Sequence, residues 1–349
     1  MKEVDYIIVG CGLAGLCFAE QAKANNKSIL VFDNQSQQSS TVAGGMYNPV
    51  ILKRFTAVWK SKEQLDLALP FYEQLEAKLH DTFDYKLPIY RRFLSAEEQN
   101  DWFTASDKMN VGEFLSTQLI KNTNESVQAD FGYGEVLQTG RIDTPQLISA
   151  YRSYLKQEDA LDESGFEYEA LKPTETGFEY KTIKAKHIIF AEGFGLKHNP
   201  YFNYLPLNGT KGELLTIHAP NLKIEYVLKS SVFLIPLGDD LYKVGATYEW
   251  TDKTYAVTDA GRNELLSKLD TFLKCDYTVV DQVAGIRPTV KDRRPLVGNH
   301  PEYKNMFVLN GLGTRGVLIG PYAAKQLYSF IENGNALDPD INISRFLES

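Results

Sequence analysis

Apolar and polar positions alternate in two distinct styles along the chain. Short runs rich in β-branched residues, Val4–Val9, Ser28–Phe32, His187–Ala191 and Met306–Leu309, show no helical period and suit strands of a parallel sheet buried on both faces. Between them lie stretches of helical period. One is Ser61–Leu79, with Leu65, Leu69, Tyr72, Leu75 and Leu79 on a single face, where Pro70 kinks the helix or starts a second one. Another follows Asp143, Thr144 and Pro145, residues suited to a cap and a first turn, and carries Leu147, Ile148, Tyr151 and Leu155. Val317–Ile331 is a third. A strand is expected around Gly165–Leu171. Residues 34–50 are polar and then glycine-rich, a long loop without structure of its own; such loops are often functional. Residues 80–135 show no clear pattern.

The style changes between residues 205 and 284. Glu213–Ile217, Tyr226–Leu237, Leu241–Tyr248 and Tyr277–Val283 read as strands, and Gly238-Asp239-Asp240 marks a hairpin. Thr258–Leu273 reads as a helix. A mostly antiparallel substrate-binding unit, 61–135 with 205–284, is therefore expected beside a discontinuous nucleotide-binding unit of 1–60, 136–204 and 285–349. The fold class is α/β, or α+β overall: a Rossmann-like domain plus an antiparallel sheet. At 349 residues two domains are the natural expectation.

Chemistry concentrates first in Val4–Asp33, which reads as strand, glycine turn, helix and strand. Gly10-Cys11-Gly12-Leu13-Ala14-Gly15 matches G-x-G-x-x-G. Gly10 serves the tight turn, Gly12 admits a pyrophosphate close to the backbone, and Gly15 lets the helix lie against the strand. The free N–H groups of the helix N-terminus, from Leu13 and Ala14, favour a phosphate there. Asp33, with Asn34 behind it, ends the second strand, where a carboxylate accepts hydrogen bonds from a ribose. This unit specifies a dinucleotide and leaves the choice between NAD and FAD open.

Composition narrows the classes. Hydrophobic residues at 43% and charged residues at 23% are ordinary for a globular protein, and a net charge of −8 speaks against a general nucleic-acid surface. No apolar run approaches the roughly 20 residues of a membrane span. The three cysteines lack metal or redox spacing and the five histidines are scattered, so no metal site is expected. Few cysteines, and an N-terminus that enters a strand within a few residues, fit a cytoplasmic location.

Three stretches in order carry a family resemblance: the turn at 10–15 with Asp33; Gly285-Ile286-Arg287-Pro288 through Asp292, Pro295 and Gly298; and Gly311–Pro321. Together they resemble the FAD-dependent D-amino-acid oxidase and glycine oxidase family. Within it, Val297-Gly298-Asn299, Gly245-Ala246-Thr247-Tyr248 and Gly311–Gly316 are similar to the oxidase domain of the bifunctional enzymes that modify tRNA wobble uridine. The family usually has Glu where Asp33 stands, and a related glycine oxidase pattern has Tyr where Phe233 stands; the methyltransferase half of the bifunctional enzymes is absent.

The resemblance implies FAD, bound without a covalent bond. Its adenosine end would sit on 10–15 and Asp33. The rest would be held by Ser40, Thr41, Gly44, Gly45 and Met46, by Ala191 and Gly193, and by Gly311, Gly313, Thr314, Arg315, Gly316 and Val317. The turn at 311–316 would offer N–H groups, and Arg315 a positive charge, to the edge of the flavin that becomes negative on reduction. Arg287 would pair with a substrate carboxylate, a match of guanidinium fork to carboxylate; a structural Arg287–Asp292 ion pair is the alternative. Tyr248 would contact the substrate, close the pocket or simply pack on the sheet. Gly212 is assigned to close packing, and Lys211 to solvent. The activity implied is hydride removal from the carbon next to an amine, with O2 as electron acceptor giving H2O2. Another electron acceptor, or a tRNA wobble-uridine side chain as substrate, are the alternatives.

Overall fold

In a computed structural model, residues 1–347 are described. Four parallel strands form the heart of the first sheet, in the order Leu161–Asp162, Ile29–Phe32, Lys2–Val9, Ile183–Phe190. The second half of Ile183–Phe190 pairs in parallel with Met306–Asn310, which pairs antiparallel with Leu296–Asn299. Its first half pairs instead with Phe178–Tyr180, and that strand with Leu171–Pro173. Side chains alternate between two cores: Tyr6 and Ile8 face one, Ile7 and Val9 the other. That explains the continuous apolar runs, since a sheet covered on both faces has no polar side.

Register decides where a ligand can lie. Val9 stands opposite Phe32 and Phe190, and Phe190 opposite Val308. The C-terminal ends of these strands therefore form one edge, from which the turn at Gly10, Asp33, Ala191 and Gly311 all depart. Open parallel sheets bind ligands at that edge. Helix Leu13–Lys23 packs there against Gly316–Asn333, close enough that a Cβ on Gly320 would lie 2.9 Å from Cys17 Sγ. Ser61–Leu79 runs through Pro70 as one helix and packs on Gly316–Asn333, with Tyr72 Oη donating to Val317 O at 2.8 Å. Thus part of 61–135 lies with the nucleotide-binding core rather than apart from it.

The second sheet has eight strands in the order Thr278–Val290, Leu207–His218, Leu241–Gly245, Phe233–Gly238, Val227–Lys229, Ile89–Arg92, Tyr133–Val136, Leu115–Ile120. All neighbours are antiparallel except Val227–Lys229 with Ile89–Arg92. The stretch expected as one strand, Tyr226–Leu237, is a hairpin, turning at Ser230, whose N–H bonds Val232 O at 3.0 Å. Residue 285, expected as a boundary, lies inside the continuous Thr278–Val290 strand, which pairs with Leu207–His218 along its whole length. Its far end thereby carries Arg287 from the sheet toward the nucleotide-binding edge.

Two local expectations change. Residues 34–50 contain a short helix, Ser39–Val42, and strand pieces Met46–Tyr47 and Val50–Ile51. At 165–171 there is a 3-10 turn, Tyr168–Ala170, before the strand Leu171–Pro173, because Phe166 stacks flat on Tyr180 at 4.4 Å instead of joining a ladder. No helix among the described residues is long and apolar enough to cross a membrane.

Candidate active site

A cavity of about 520 Å³ runs along the C-terminal edge of the first sheet and under the second. At one end stands the N-terminal glycine turn. Gly10 has φ +99°, and a Cβ there would lie 2.5 Å from Ala191 O; a Cβ on Gly15 would lie 1.9 Å from Gly10 O. Only glycine permits this turn and this approach of helix to strand. Gly12 caps the helix without a side chain, so the cap position offers bare backbone. Ser40 Oγ lies 3.2 Å from Leu13 N and accepts its hydrogen bond. A Cβ on Gly12 would project to 3.1 Å from that same Oγ. Backbone donors, a helix N-terminus and a hydroxyl in a cradle that a side chain would fill suit a pyrophosphate.

Asp33 lines the cavity beside this turn, and Arg152 holds it. Arg152 ion-pairs with Asp33 Oδ2, donates to its carbonyl at 3.2 Å, and reaches Glu163 at 2.8 Å through its other nitrogen. Oδ1 has no hydrogen-bond partner among the described residues. Arg152 sits on the helix Thr144–Gln157, 119 residues away in sequence, and nothing in the local pattern signals it.

The opposite end is built by the C-terminal turn. Gly313 donates its N–H to Pro288 O at 3.0 Å. Its amide is therefore occupied, and the first donor inside the following helix is Leu318, bonded to Arg315 O at 3.0 Å. That leaves the N–H groups of Gly316 and Val317 free among the described residues. A helix N-terminus of this kind stabilises negative charge. Asn310 Nδ2 donates to Gly193 O at 3.0 Å and ties this turn to the one after Ile183–Phe190.

Arg287 lies under the second sheet, with its guanidinium flat on Gly212; a Cβ there would be 2.0 Å from Nη2. Gly212 thus serves close packing, as its sequence suggests. Nη1 donates to Thr247 O at 3.2 Å, and Tyr248 lies over the guanidinium, 4.5 Å from Cζ to ring centroid. Tyr248 is 60% exposed, so it stands at the mouth rather than in the core. The alternative Arg287–Asp292 pair does not form: Asp292 binds Arg345 at 2.9 Å. Arg287 has no carboxylate partner among the described residues, and burial pushes it below the usual guanidinium range. Arg315 is similar. Burial pushes it down to about 10, and Nη1 donates to Asn48 O at 2.8 Å.

Most residues expected at the site line this one cavity: Gly10, Gly12, Leu13, Ala14, Asp33, Asn34, Ser40, Gly44, Gly45, Met46, Ala191, Gly193, Tyr248, Arg287, Gly313, Thr314, Arg315, Gly316 and Val317. Three do not. Thr41 is exposed and its hydroxyl turns back to Gln38 O at 2.9 Å, while Gly15 and Gly311 shape the turns from behind. Lys211 departs furthest from expectation. It is 1% exposed and pairs with Asp252 while donating to Ala256 O, so it fastens the segment after Tyr248. The sequence reading missed Ser164, Phe166, Tyr168 and Glu192, which also line the cavity. Glu192 accepts from Tyr168 Oη and from Asn199 Nδ2 at 2.7 Å, and burial raises its pKa. Its place directly after the HIIFA run was the one available signal. No group of residues among those described could hold a metal ion.

Comparisons with known proteins agree with the fold. Glycine oxidase of Bacillus subtilis is 21% identical over 95% of this chain and 94% of its own. The bifunctional tRNA 5-methylaminomethyl-2-thiouridine biosynthesis protein of Aromatoleum aromaticum is 28% identical, but the match spans 43% of this chain and only 28% of that protein. Among solved structures, glycine oxidase from Geobacillus kaustophilus superposes with a TM-score of 0.80 over 99% of this chain and 98% of its own, at 18% identity. Iminodiacetate oxidase from Chelativorans sp. gives 0.75 over 96% and 97%, also at 18% identity. The family pattern itself spans residues 5–329, from the first strand through the last long helix, so the chain belongs to the FAD-dependent oxidoreductases.

Proposed function

We propose that this protein oxidises the C–N bond of a primary or secondary amine that carries a carboxylate, an amino acid or an N-substituted glycine. FAD is held without a covalent bond, and O2 is the electron acceptor. The observation that carries this reading is Arg287: a half-buried guanidinium, unpaired by any acid among the described residues, in the same cavity as the two helix N-termini. A largely desolvated cation without a counter-ion is costly, and an anionic ligand supplies what is missing.

The chain's residues divide the work. Gly10–Gly15, Ser40 and Asp33 would hold the diphosphate and ribose, with Arg152 fixing the Asp33 carboxylate. Gly316 and Val317 would direct free N–H groups at the far end of the cofactor. Arg287, kept in place by Thr247 O and the Tyr248 ring, would orient the substrate through its carboxylate so that the amine-bearing carbon faces the flavin. When bound, FAD supplies the hydride acceptor that no side chain can provide. Positioning supplies much of the rate in such a reaction, which suits a cavity whose two acids, Asp33 and Glu192, both have donors already.

The test is an anaerobic panel of amino acids and N-substituted glycines, following loss of the oxidised flavin absorbance. Bleaching by at least one carboxylate-bearing amine, and none by the same amines with the carboxylate converted to an amide, is expected. Equal response to acid and amide overturns the reading. Admitting air to the bleached protein and measuring H2O2 then tests O2 against another acceptor.

A further inference from the structure

Residues 34–38 join the two points at which the ribose and the diphosphate would be held, Asp33 and Ser40. Within that stretch only Gln37 is not exposed. It lines the cavity, and its side chain meets two other segments. One is the 3-10 turn Gly193–His198, where a Cβ on Gly195 would lie 3.4 Å from Gln37 Nε2. The other comes from beyond the second sheet: Tyr255 Oη donates to Gln37 Oε1 at 2.9 Å. Tyr255 belongs to residues 250–257, which make no main-chain-to-main-chain hydrogen bond among the described residues. Trp250 and Val257 in this segment are exposed. Side chains fasten it instead. Lys211, buried on the strand Leu207–His218, pairs with Asp252 and donates to Ala256 O, gripping the segment on either side of Tyr255. Lys253 Nζ donates to Gly209 O at 2.6 Å. A second contact between residues 34–42 and the second sheet is of another kind. A Cβ on Gly285 would lie 2.4 Å from Val42 Cγ2, and Ser39 Oγ donates to Ile286 O. The second sheet and its appended segment thus meet the nucleotide-binding edge here twice: once by close packing, and once by a single hydrogen bond on a segment without a backbone ladder.

We infer that residues 250–257 are a strap that latches the cofactor cavity: Tyr255 closes the latch on Gln37, Lys211 is the buried pin that holds the strap within reach, and opening of the latch governs how fast FAD exchanges. This rests on the placement of ribose and diphosphate between Asp33 and Ser40, and not on the reading of Arg287 or on the identity of the amine. A segment with few backbone hydrogen bonds opens locally at low free energy. The pin resists that opening, because withdrawing Asp252 leaves a buried ammonium without its acid. Tyr255 does not itself line the cavity, so it is a positioning residue that acts through Gln37.

Protein loaded with isotope-labelled FAD is chased with excess unlabelled FAD, and the label it retains is followed in time. Tyr255→Phe removes one hydrogen bond and little volume, and should release FAD about fivefold faster, with Gln37→Ala changed by a similar factor. The double variant should match the faster single variant, because both changes break the same bridge. Asp252→Ala unpins the strap while leaving both bridge residues in place. It should quicken release by about tenfold and open the chain to trypsin at Lys253 in the FAD-loaded protein. Release rates equal to the parent's in Tyr255→Phe and Gln37→Ala overturn the inference. So do factors that multiply in the double variant, or trypsin cleavage that rises equally along the whole chain, the mark of general loosening. An acetate affinity that changes while FAD release does not would make the strap a cover for the substrate side, and overturns it too. Should Asp252→Ala fail to fold, the Tyr255→Phe and Gln37→Ala rates decide. Full flavin content in Gly12→Val refutes the cofactor placement and the strap's role with it, whereas unchanged release rates refute the strap alone.

Discussion

Replacing Arg287 with alanine removes a guanidinium that touches Gly212, Thr247 and Tyr248 and nothing acidic. A carboxylate bound by its free fork would gain two charge-assisted hydrogen bonds, each about 1.5–3 kcal/mol. Water entering the truncated pocket recovers part of that loss. The net cost of truncating one partner of a buried charged pair then falls at about 2–4 kcal/mol, or roughly 30- to 700-fold in affinity. The rest of the protein should barely notice, because Arg287 bridges no acid and its one hydrogen bond is to a carbonyl near the cavity mouth. The assay follows from that separation. FAD content and thermal midpoint are measured first and should match the parent. Acetate is then titrated against the flavin spectrum, and kcat/KM is taken for the amine found in the panel. Arg287→Lys, a point charge that cannot fork, should recover less than half of the lost free energy. Unchanged acetate affinity in a folded, yellow Arg287→Ala protein would refute the reasoning.

Other perturbations probe the remaining parts. Gly12→Val extends a side chain into the cradle at Ser40 and should abolish FAD retention; a purified variant with full flavin content counts against the diphosphate site. Arg152→Gln leaves the Asp33 carboxylate without its partner and should cost about 3 kcal/mol, with part of it regained in Arg152→Gln/Asp33→Asn, as read by urea unfolding; equal midpoints for single and double variants would sink the coupling. Asp5→Asn tests pH linkage. Burial works to raise the Asp5 pKa, but Lys186 and the Ser28 donors outweigh it and hold it at about 2. A depressed carboxyl stabilises the fold above its unfolded pKa, and loses that contribution as pH falls from about 4 to about 2. After discounting for partial exposure, Asp5→Asn should cost about 1–2 kcal/mol at pH 7 and almost nothing near pH 2; a pH-independent difference contradicts it.

The binding edge was legible in sequence because its requirements are local. Gly10 and Gly15 are forced by one turn and one helix crossing, and Arg287 stands in a spaced pattern of glycine, proline and aspartate. Residues 80–135 were opaque for a physical reason. Three of their strands, Ile89–Arg92, Leu115–Ile120 and Tyr133–Val136, are short and exist by pairing within a sheet whose other members all lie after residue 205. Pro70 could kink the helix or start a second one, and Ser61–Leu79, packed on Gly316–Asn333, is a single helix, so no second one starts there.

Sequence alone therefore determined the cofactor-binding frame, the parallel strands and the two glycine turns, since each depends on neighbours within a few residues. Only the tertiary structure decided the state of the charges. Lys211 reads as a surface lysine until Asp252, 41 residues on, buries and pairs it. Asp33 reads as free until Arg152 arrives from another helix. Arg287 has Asp292 as an alternative partner in the sequence until Arg345 claims that carboxylate. A charge is free or paired according to what the fold brings within about 4 Å, and Coulomb energies at that range exceed any local propensity. That is why the turns and the positions of Arg287 and Arg315 could be read in advance, whereas the lack of an acid partner for either arginine could not.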